Sequence, residues 1–416
     1  MSKLEELIKE LCPNGVEYKK INEVAIQFNG MTGVSKKWAE TGNCRFIDYL
    51  NAYNNLKIDV NNKPFATVAK VQQNALKKGD ILCTCASETP DECAISSVIE
   101  DELEDNIFLD DHLFCIRVND DKMVNPVFLN YYFRCNEFRN KVNKAVRGVT
   151  RFYISNVDFM KLTIPVPPTE VQREIVRILD NFTELTAELT AELTARKKQY
   201  EYYRDQLLSF EKTGRVERRF LSEIADICTG SSNTEDAEEN GIYPFFVRSQ
   251  EPLKKNDYEY DEEAIITAGD GVGVGKVFHY VNGKYALHQR AYRIHPISSS
   301  VDGKYLFHYF ATKFPNYIAK TMYDGSVPSI RRPMLNRFEI DIPELSIQKR
   351  IANVLDNFDT ICSDLNIGLP AEIEARNKQY EYYRDKLLTF DNSIATILTD
   401  RQTDRQTDRQ TDRQTT

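Results

Sequence analysis

No stretch of the 416-residue chain approaches the ~20 apolar residues that a membrane-spanning helix needs. Its start, Met1-Ser-Lys-Leu-Glu-Glu-Leu, lacks the apolar core of a secretory signal, so a soluble cytoplasmic protein with no membrane partner is expected. The nine cysteines form no CxxC pair, and Cys83, Cys85 and Cys93 have no matching His/Cys cluster. Thiols scattered in this way fit a reducing compartment and structural, buried roles. The five histidines (His112, His279, His288, His295 and His308) show no HExxH or other metal spacing, so no metal site is expected. Acidic residues outnumber basic ones, 63 to 54. A net charge of −9 argues against wholesale coating of a polyanion, though not against clustered basic residues or a partner that supplies more.

Catalytic motifs are equally sparse. Gly269-Asp-Gly-Val-Gly-Val-Gly-Lys276 resembles a phosphate loop, but Asp270 and Val277 break the pattern, and a glycine-rich hairpin is the better reading. Asn125-Pro-Val-Phe128 shares part of the Asn-Pro-Pro-Tyr/Phe loop of amino-methyltransferases. It lacks the second proline and any preceding glycine-rich cofactor loop, so a turn leading into a helix is expected. Pro90-Asp91-Glu92 has no Glu-x-Lys partner of the nuclease type. The chain reads as non-catalytic, with no cofactor of its own.

What is present is a duplication. Ala195-Arg-Lys-Lys-Gln-Tyr-Glu-Tyr-Tyr-Arg-Asp-Gln-Leu-Leu-Ser-Phe210 returns as residues 375–390 with only Lys197/Asn377, Gln206/Lys386 and Ser209/Thr389 changed. Such identity must be read before local features. Tyr200, Tyr203 and Leu207, like Tyr380, Tyr383 and Leu387, recur at helical spacing and are candidates for helix pairing and subunit docking. Two near-identical helices are most simply packed about a pseudo-twofold axis.

The duplication extends further. Residues 16–25 match 216–225 at an offset of 200, while Ile164–Gln172 matches Ile340–Gln348 and Ile178–Phe182 matches Val354–Phe358 at 176. Ile175, Ile178, Phe182, Leu185 and Leu189 run down one side at three- and four-residue steps, as do Ile351, Val354, Phe358 and Ile361. Within the first helix Glu-Leu-Thr recurs every four residues across 183–194, and the offset rises from 176 to 180 beyond it. The first helix is therefore one tetrad shorter than the second. Four residues are ~6 Å of helix and turn its far end by only ~40°, so the tract suits an adjustable spacer. Gly368 and Pro370 are expected to kink or interrupt the second helix.

The expected order is a domain over 1–163, a helical spacer over 164–212, a second domain over 213–339, a second spacer over 340–390, and a disordered Thr-Asp-Arg-Gln tail over 391–416. Strands are expected at Ile81–Cys85, His112–Val118, Ala264–Thr267, Gly275–Tyr280 and Tyr292–Ile294. Helices should begin near Val127 and Tyr305.

Two basic tracts occupy matching places, just before each long helix. One holds Arg134, Arg139, Lys141, Lys144, Arg147 and Arg151, with Gly148, Phe152 and Tyr153 among or beside them. The other holds Lys313, Lys320, Arg331, Arg332 and Arg337, with Tyr317, Tyr323, Asp324 and Gly325. Basic and aromatic groups together suit phosphate neutralisation and groove contact on double-stranded DNA.

The paired Gln-Tyr-Glu-Tyr-Tyr-Arg-Asp helices, the Pro-x-x-x-x-Gln lead-ins at Pro167–Gln172 and Pro343–Gln348, the tetrads and two dissimilar variable parts together resemble the specificity subunit of type I restriction–modification systems. The resemblance covers the chain up to the Thr-Asp-Arg-Gln tail. It implies an α+β fold: two α/β target recognition domains separated by two long antiparallel helices forming a coiled-coil spacer, related by a pseudo-twofold internal repeat. Each domain would read half of a bipartite DNA site, asymmetric because the domains differ. The helices would dock two methyltransferase subunits, which use S-adenosylmethionine for adenine N6 chemistry. Restriction subunits would add ATP- and magnesium-dependent cleavage. A helix from about 170 to 210 spans roughly 60 Å, enough for readers one or two turns of ~34–36 Å apart. The alternative is a coiled-coil adaptor without DNA contact, which leaves the matched basic tracts unexplained. A stand-alone nuclease or methylase lacks every motif it would need.

Overall fold

The computed structural model describes residues 3–32, 34–68, 74–103, 107–210, 216–321, 328–363 and 366–390. The chain divides into two compact units. One comprises Met1–Glu188 together with Glu374–Thr416; the other is Leu189–Ile373. Both boundaries fall inside helices, whereas the sequence placed its domain edges at helix ends. The 391–416 tail and Tyr323, Asp324 and Gly325 lie outside the described residues.

The first unit opens with the helix Lys3–Leu11 and a strand, Tyr18–Lys20, paired antiparallel to Thr163–Pro165. One four-stranded sheet runs Ala25–Asn29, Leu113–Val118, Ile81–Thr84, Ser96–Val98; another runs Val34–Ala39, Phe65–Val68, Cys44–Ile47, Ile107–Leu109. The helices Pro126–Arg134 and Asn136–Ala145 follow. Asn125 caps the first of them by accepting from the Val127 and Phe128 amides, and Pro126 sits where no amide donor is needed. The Asn-Pro segment is thus a helix-leading turn, as its sequence indicated.

The second unit closes a six-stranded sheet in the order Ala225–Thr229, Ala291–Pro296, Tyr260–Ala268, Phe278–Leu287, Tyr243–Phe246, Leu253–Lys255. Its lead-in strand Glu217–Phe220 pairs with Glu339–Ile342, and the helix Gly303–Thr321 covers the sheet. The strand expected from Gly275 begins three residues later. Gly271 and Gly275 have φ of +80° and +70° and make the turn of a hairpin between two antiparallel strands.

A helix of 39 residues, Thr169–Leu207, carries the first copy of the duplicated motif. The second copy lies on Leu369–Leu388, and the helix before it, Leu345–Ser363, ends short of Gly368 and Pro370 as expected. Each motif packs into the core of the opposite repeat. Tyr383, Leu387, Leu388 and Phe390 join the core of the first unit, and Tyr200, Leu207, Leu208 and Phe210 join that of the second.

The Pro-x-x-x-x-Gln lead-ins have a defined task. Gln172, fully buried, donates Nε2 to the Met123 and Pro167 carbonyls at 2.9 and 2.7 Å, and its Oε1 accepts the Asn125 amide at 2.8 Å. Gln348 does the same with Ser300, Pro343 and Asp302 at 2.9, 2.7 and 2.9 Å. Each glutamine satisfies three backbone groups that burial would otherwise orphan, and so fixes the long helix to the helix beside it.

Candidate nucleic-acid interface

The two basic tracts divide sharply by burial. Arg134 gives Nε to the Ser96 carbonyl at 2.6 Å and Nη2 to that of Asn55 at 2.8 Å, and burial pushes its guanidinium down to about 10. Arg139 bonds the carbonyls of Asp91, Ala94 and Cys93, and burial lowers its pKa too. Lys141 is half-buried between Glu137, the Tyr132 hydroxyl and the Thr163 carbonyl. These three cations tie the 126–145 helices to the surrounding strand-end, turn and loop carbonyls and are spent on the fold, so they leave the candidate set for DNA. Lys144, Arg147 and Arg151 remain exposed. In the second unit Lys313 is half-buried, whereas Lys320, Arg331, Arg332 and Arg337 are exposed.

The docking candidates also sort by exposure. Tyr383 and Leu387 are buried, and Tyr380, Tyr200 and Leu207 pack against the cores. Tyr203 is 42% exposed. The most open aromatic side chains of the duplicated motif are Tyr202 and Tyr382, at 63% and 51%, each edge-on to the next tyrosine.

Around Arg147 the chain makes a finger. Arg147 and Tyr153 exchange both backbone hydrogen bonds at 2.9 Å, and Gly148 turns at φ +116°, where a Cβ would lie 2.0 Å from the Arg151 carbonyl oxygen. Only glycine fits there. The tip is exposed, Val149 by 88%. Arg151 and Thr150 overhang a concavity of about 810 Å³ whose floor includes Tyr49, Ala86 and His112. Tyr49 stacks on Tyr53, with centroids 5.6 Å apart.

Asp110, Asp111 and His112 beside it could gather a cation. The Lys37 ammonium bonds both aspartates, so a cation of the protein's own already sits there.

The second unit has a corresponding place, which sequence reasoning missed. Asp270, in the glycine turn, accepts Arg248 Nη1 at 2.6 Å and Arg290 Nη1 at 3.4 Å. The segment entering Arg331 closes over it: Gly271 donates to the Pro328 carbonyl at 2.9 Å, and Ile330 donates to that of Gly269 at 2.8 Å. His288, buried behind, accepts the Arg290 amide at Nδ1, 3.0 Å away. Burial holds its pKa below the usual value, and Arg248 and Arg290 add to the effect.

Fold and site define a duplicated α/β scaffold with an open, loop-built cleft on the first unit and an arginine–aspartate cluster on the second, without an assembled catalytic constellation among the described residues. The chain matches the type I restriction modification DNA specificity domain at residues 13–196 and again at 214–375, and it belongs to that family. It is 38% identical over 269 residues to the EcoR124I/EcoR124II specificity subunit of Escherichia coli, covering 58% of this chain and 66%, just under two thirds, of that one. A putative type I restriction enzyme specificity subunit of Haemophilus influenzae is 31% identical over 300 residues, covering 66% of this chain and 74% of its own. A crystal structure of the type I S subunit from M. genitalium shares the fold with a TM-score of 0.57 at 14% identity, covering 91% of this chain and 98% of that one. A chain from a structural study of type I complex assembly and conformational transition gives 0.60 at 17% identity, covering 90% and 98%.

Proposed function

We propose that this specificity subunit reads an asymmetric, bipartite DNA sequence, one half with each unit, and carries no catalytic step itself. One observation supports this above the others. The frame is built twice with the same contacts, Gln172 matched by Gln348, while the groups each frame presents differ, a tyrosine-lined cleft on one and two arginines on an aspartate on the other. A duplicated enzyme or adaptor gives no reason for that contrast, whereas a reader of two unlike half-sites requires it.

Lys144, Arg147 and Arg151 on one unit, and Lys320, Arg331, Arg332 and Arg337 on the other, are the cations left free of the core to meet phosphates. Tyr202 and Tyr382 are the most exposed aromatic residues of the duplicated motif and suit docking of two methyltransferase subunits, one per repeat. Those subunits would bring S-adenosylmethionine. Restriction subunits would bring ATP- and magnesium-dependent cleavage. The complex would work in the cytoplasm, where the genome is.

The experiment is a map of N6-methyladenine in genomic DNA from cells with and without this gene, with the partner methyltransferase expressed in both. Loss of methylation at one gapped, asymmetric motif is the expected result. An identical map would overturn the reading.

A further inference from the structure

Because the chain contains two copies of one scaffold, strand register identifies equivalent positions without any outside alignment. In the first unit Ile47 pairs with Leu109, Thr84 with Leu113, and Ala86 with Tyr153. In the second, Phe246 pairs with Leu287, Ala268 with Ala291, and Asp270 with Ser329. Counting outward from these pairs, Tyr49 corresponds to Arg248, Ala86 to Asp270 and His112 to Arg290. The backbone is the same while the chemistry differs completely. A stacked tyrosine, a methyl group and an imidazole line the cleft of the first unit; two guanidiniums on one carboxylate hold the same registers in the second.

We propose that Arg290 and Arg248, positioned by Asp270, read guanine in the half-site of the second unit. This rests on the reading of the chain as a DNA specificity subunit. Guanine offers O6 and N7 side by side in the major groove, and the planar fork of arginine donates to both at once. Among the described residues, Asp270 is the only side chain that either guanidinium bonds, and each uses only its Nη1 on it. Both keep further donors for a base edge. Arg290 is 59% exposed and Arg248 39%, so both are reachable, while Asp270 at 28% is the more enclosed partner.

The carboxylate serves a second purpose. Two guanidiniums close together repel and would splay apart; a shared anion holds them in one place before DNA arrives, which lowers the ordering cost of binding. Asp270 is itself fixed by the backbone bridge to Ser329. His288 behind the pair accepts the Arg290 amide at Nδ1, and burial, with the two arginines adding to it, disfavours its protonation. Arg331 and Arg332 follow directly on the bridged segment and are exposed, in the right place to hold the phosphates beside the base being read. The first cleft has no arginine at these registers, so the two half-sites differ in base content.

The test uses the purified complex of this chain with its methyltransferase subunits. Competition binding is measured against duplexes carrying each base at each position of the wild-type site. Arg290→Lys is the informative variant, since it keeps the charge and removes the planar fork. Its preference for guanine at one position of one half-site should fall ~10-fold or more. The other half-site and the salt dependence should stay as in wild type. Arg290→Gln should move that position toward adenine, the base whose N6 and N7 a glutamine matches. Asp270→Asn should weaken guanine preference at unchanged salt dependence, with Asp270→Glu restoring part of it. Co-purification with the methyltransferase and an unchanged melting temperature show that each variant is folded.

Wild-type discrimination unaltered by both Arg290→Lys and Arg248→Lys would overturn the proposal. So would a wild-type site without guanine in either half, or a uniform loss of affinity for all four bases. A wild-type complex with no sequence preference at all would instead refute the underlying specificity reading.

Discussion

Phe182 stacks on Tyr383, their ring centroids 5.4 Å apart and their planes within 22°, although 201 positions separate them in the chain. The second unit contains the corresponding pair, Phe358 against Tyr203, at 6.1 Å and 32°. Each pair takes its phenylalanine from one repeat and its tyrosine from the other. Their burial differs: Tyr383 is 7% exposed and Tyr203 is 42%. Tyr383→Ala should therefore destabilise the protein by about 3 kcal/mol and Tyr203→Ala by under about 1 kcal/mol. Urea unfolding of both variants checks this; equal losses would contradict it.

The buried glutamines set up a second comparison. Gln172→Ala strips partners from one amide and two carbonyls inside the first unit, and Gln348→Ala does so in the second. Each should cost about 3 kcal/mol, since every buried group left unpaired costs about 1–3 kcal/mol. Amide exchange should show the loss confined to the unit that carries the substitution.

Acid should act on the second unit through Arg293. Its guanidinium bonds Glu262 at 2.8 Å and Asp226 at 2.5 Å, and the Tyr285 hydroxyl donates to Glu262 at 2.9 Å. Burial pushes the Glu262 carboxyl up, but the bonds from Arg293 and Tyr285 outweigh it and hold the group below its usual range. The Arg293 hydrogen bond lowers Asp226 as well. With folded values below the unfolded ones near 4, this stabilisation is complete above about pH 5 and drains away as pH falls through the folded values. Melting temperatures from pH 6 to pH 3 should drop. Glu262→Gln should start lower at pH 6 and lose less on acidification; a parallel decline would count against this network.

Exposed and buried arginines of the same tract should behave as different kinds of residue. Arg151→Ala should weaken DNA binding by the complex and reduce the salt slope by ~0.9, with little change in melting temperature. Arg134→Ala should instead lower stability by about 2–3 kcal/mol, because the Ser96 and Asn55 carbonyls lose their donor. Salt titrations paired with thermal melts separate the two outcomes.

A further prediction concerns the tetrads. One extra Thr-Ala-Glu-Leu within residues 186–194 should lengthen the unspecified gap of the DNA site by one to two base pairs, from ~6 Å of helix. Methylation mapping of that variant reads the gap directly.

These outcomes divide along the same line as legibility. The helix motif, the proline–glutamine lead-ins, the break near Gly368 and the glycine hairpin were readable because each depends on a short run of chain. The Arg134 and Arg139 positions were not. A run of cations on a helix looks solvated until one knows that the helix lies against a turn, a loop and a strand end whose open carbonyls face it. The Arg248–Asp270–Arg290 cluster was hidden for a related reason: its members come from three strand ends that only the sheet register brings together. Local periodicity carried the scaffold, and non-local pairing carried the site.

The composition of the first unit bears on how the protein is made. Its amino-terminal part cannot be closed until its last helix exists, since Asn136 binds Asp385 at 2.8 Å across 249 residues and Phe128 meets Phe390. The second unit is one uninterrupted segment, Leu189–Ile373. On the ribosome, at ~5–20 residues per second, the domain synthesised first waits roughly ten to forty seconds after Leu207 for Leu387 to emerge, and the domain begun later finishes earlier. During that interval the surface that Tyr383, Leu387, Leu388 and Phe390 will cover stands open.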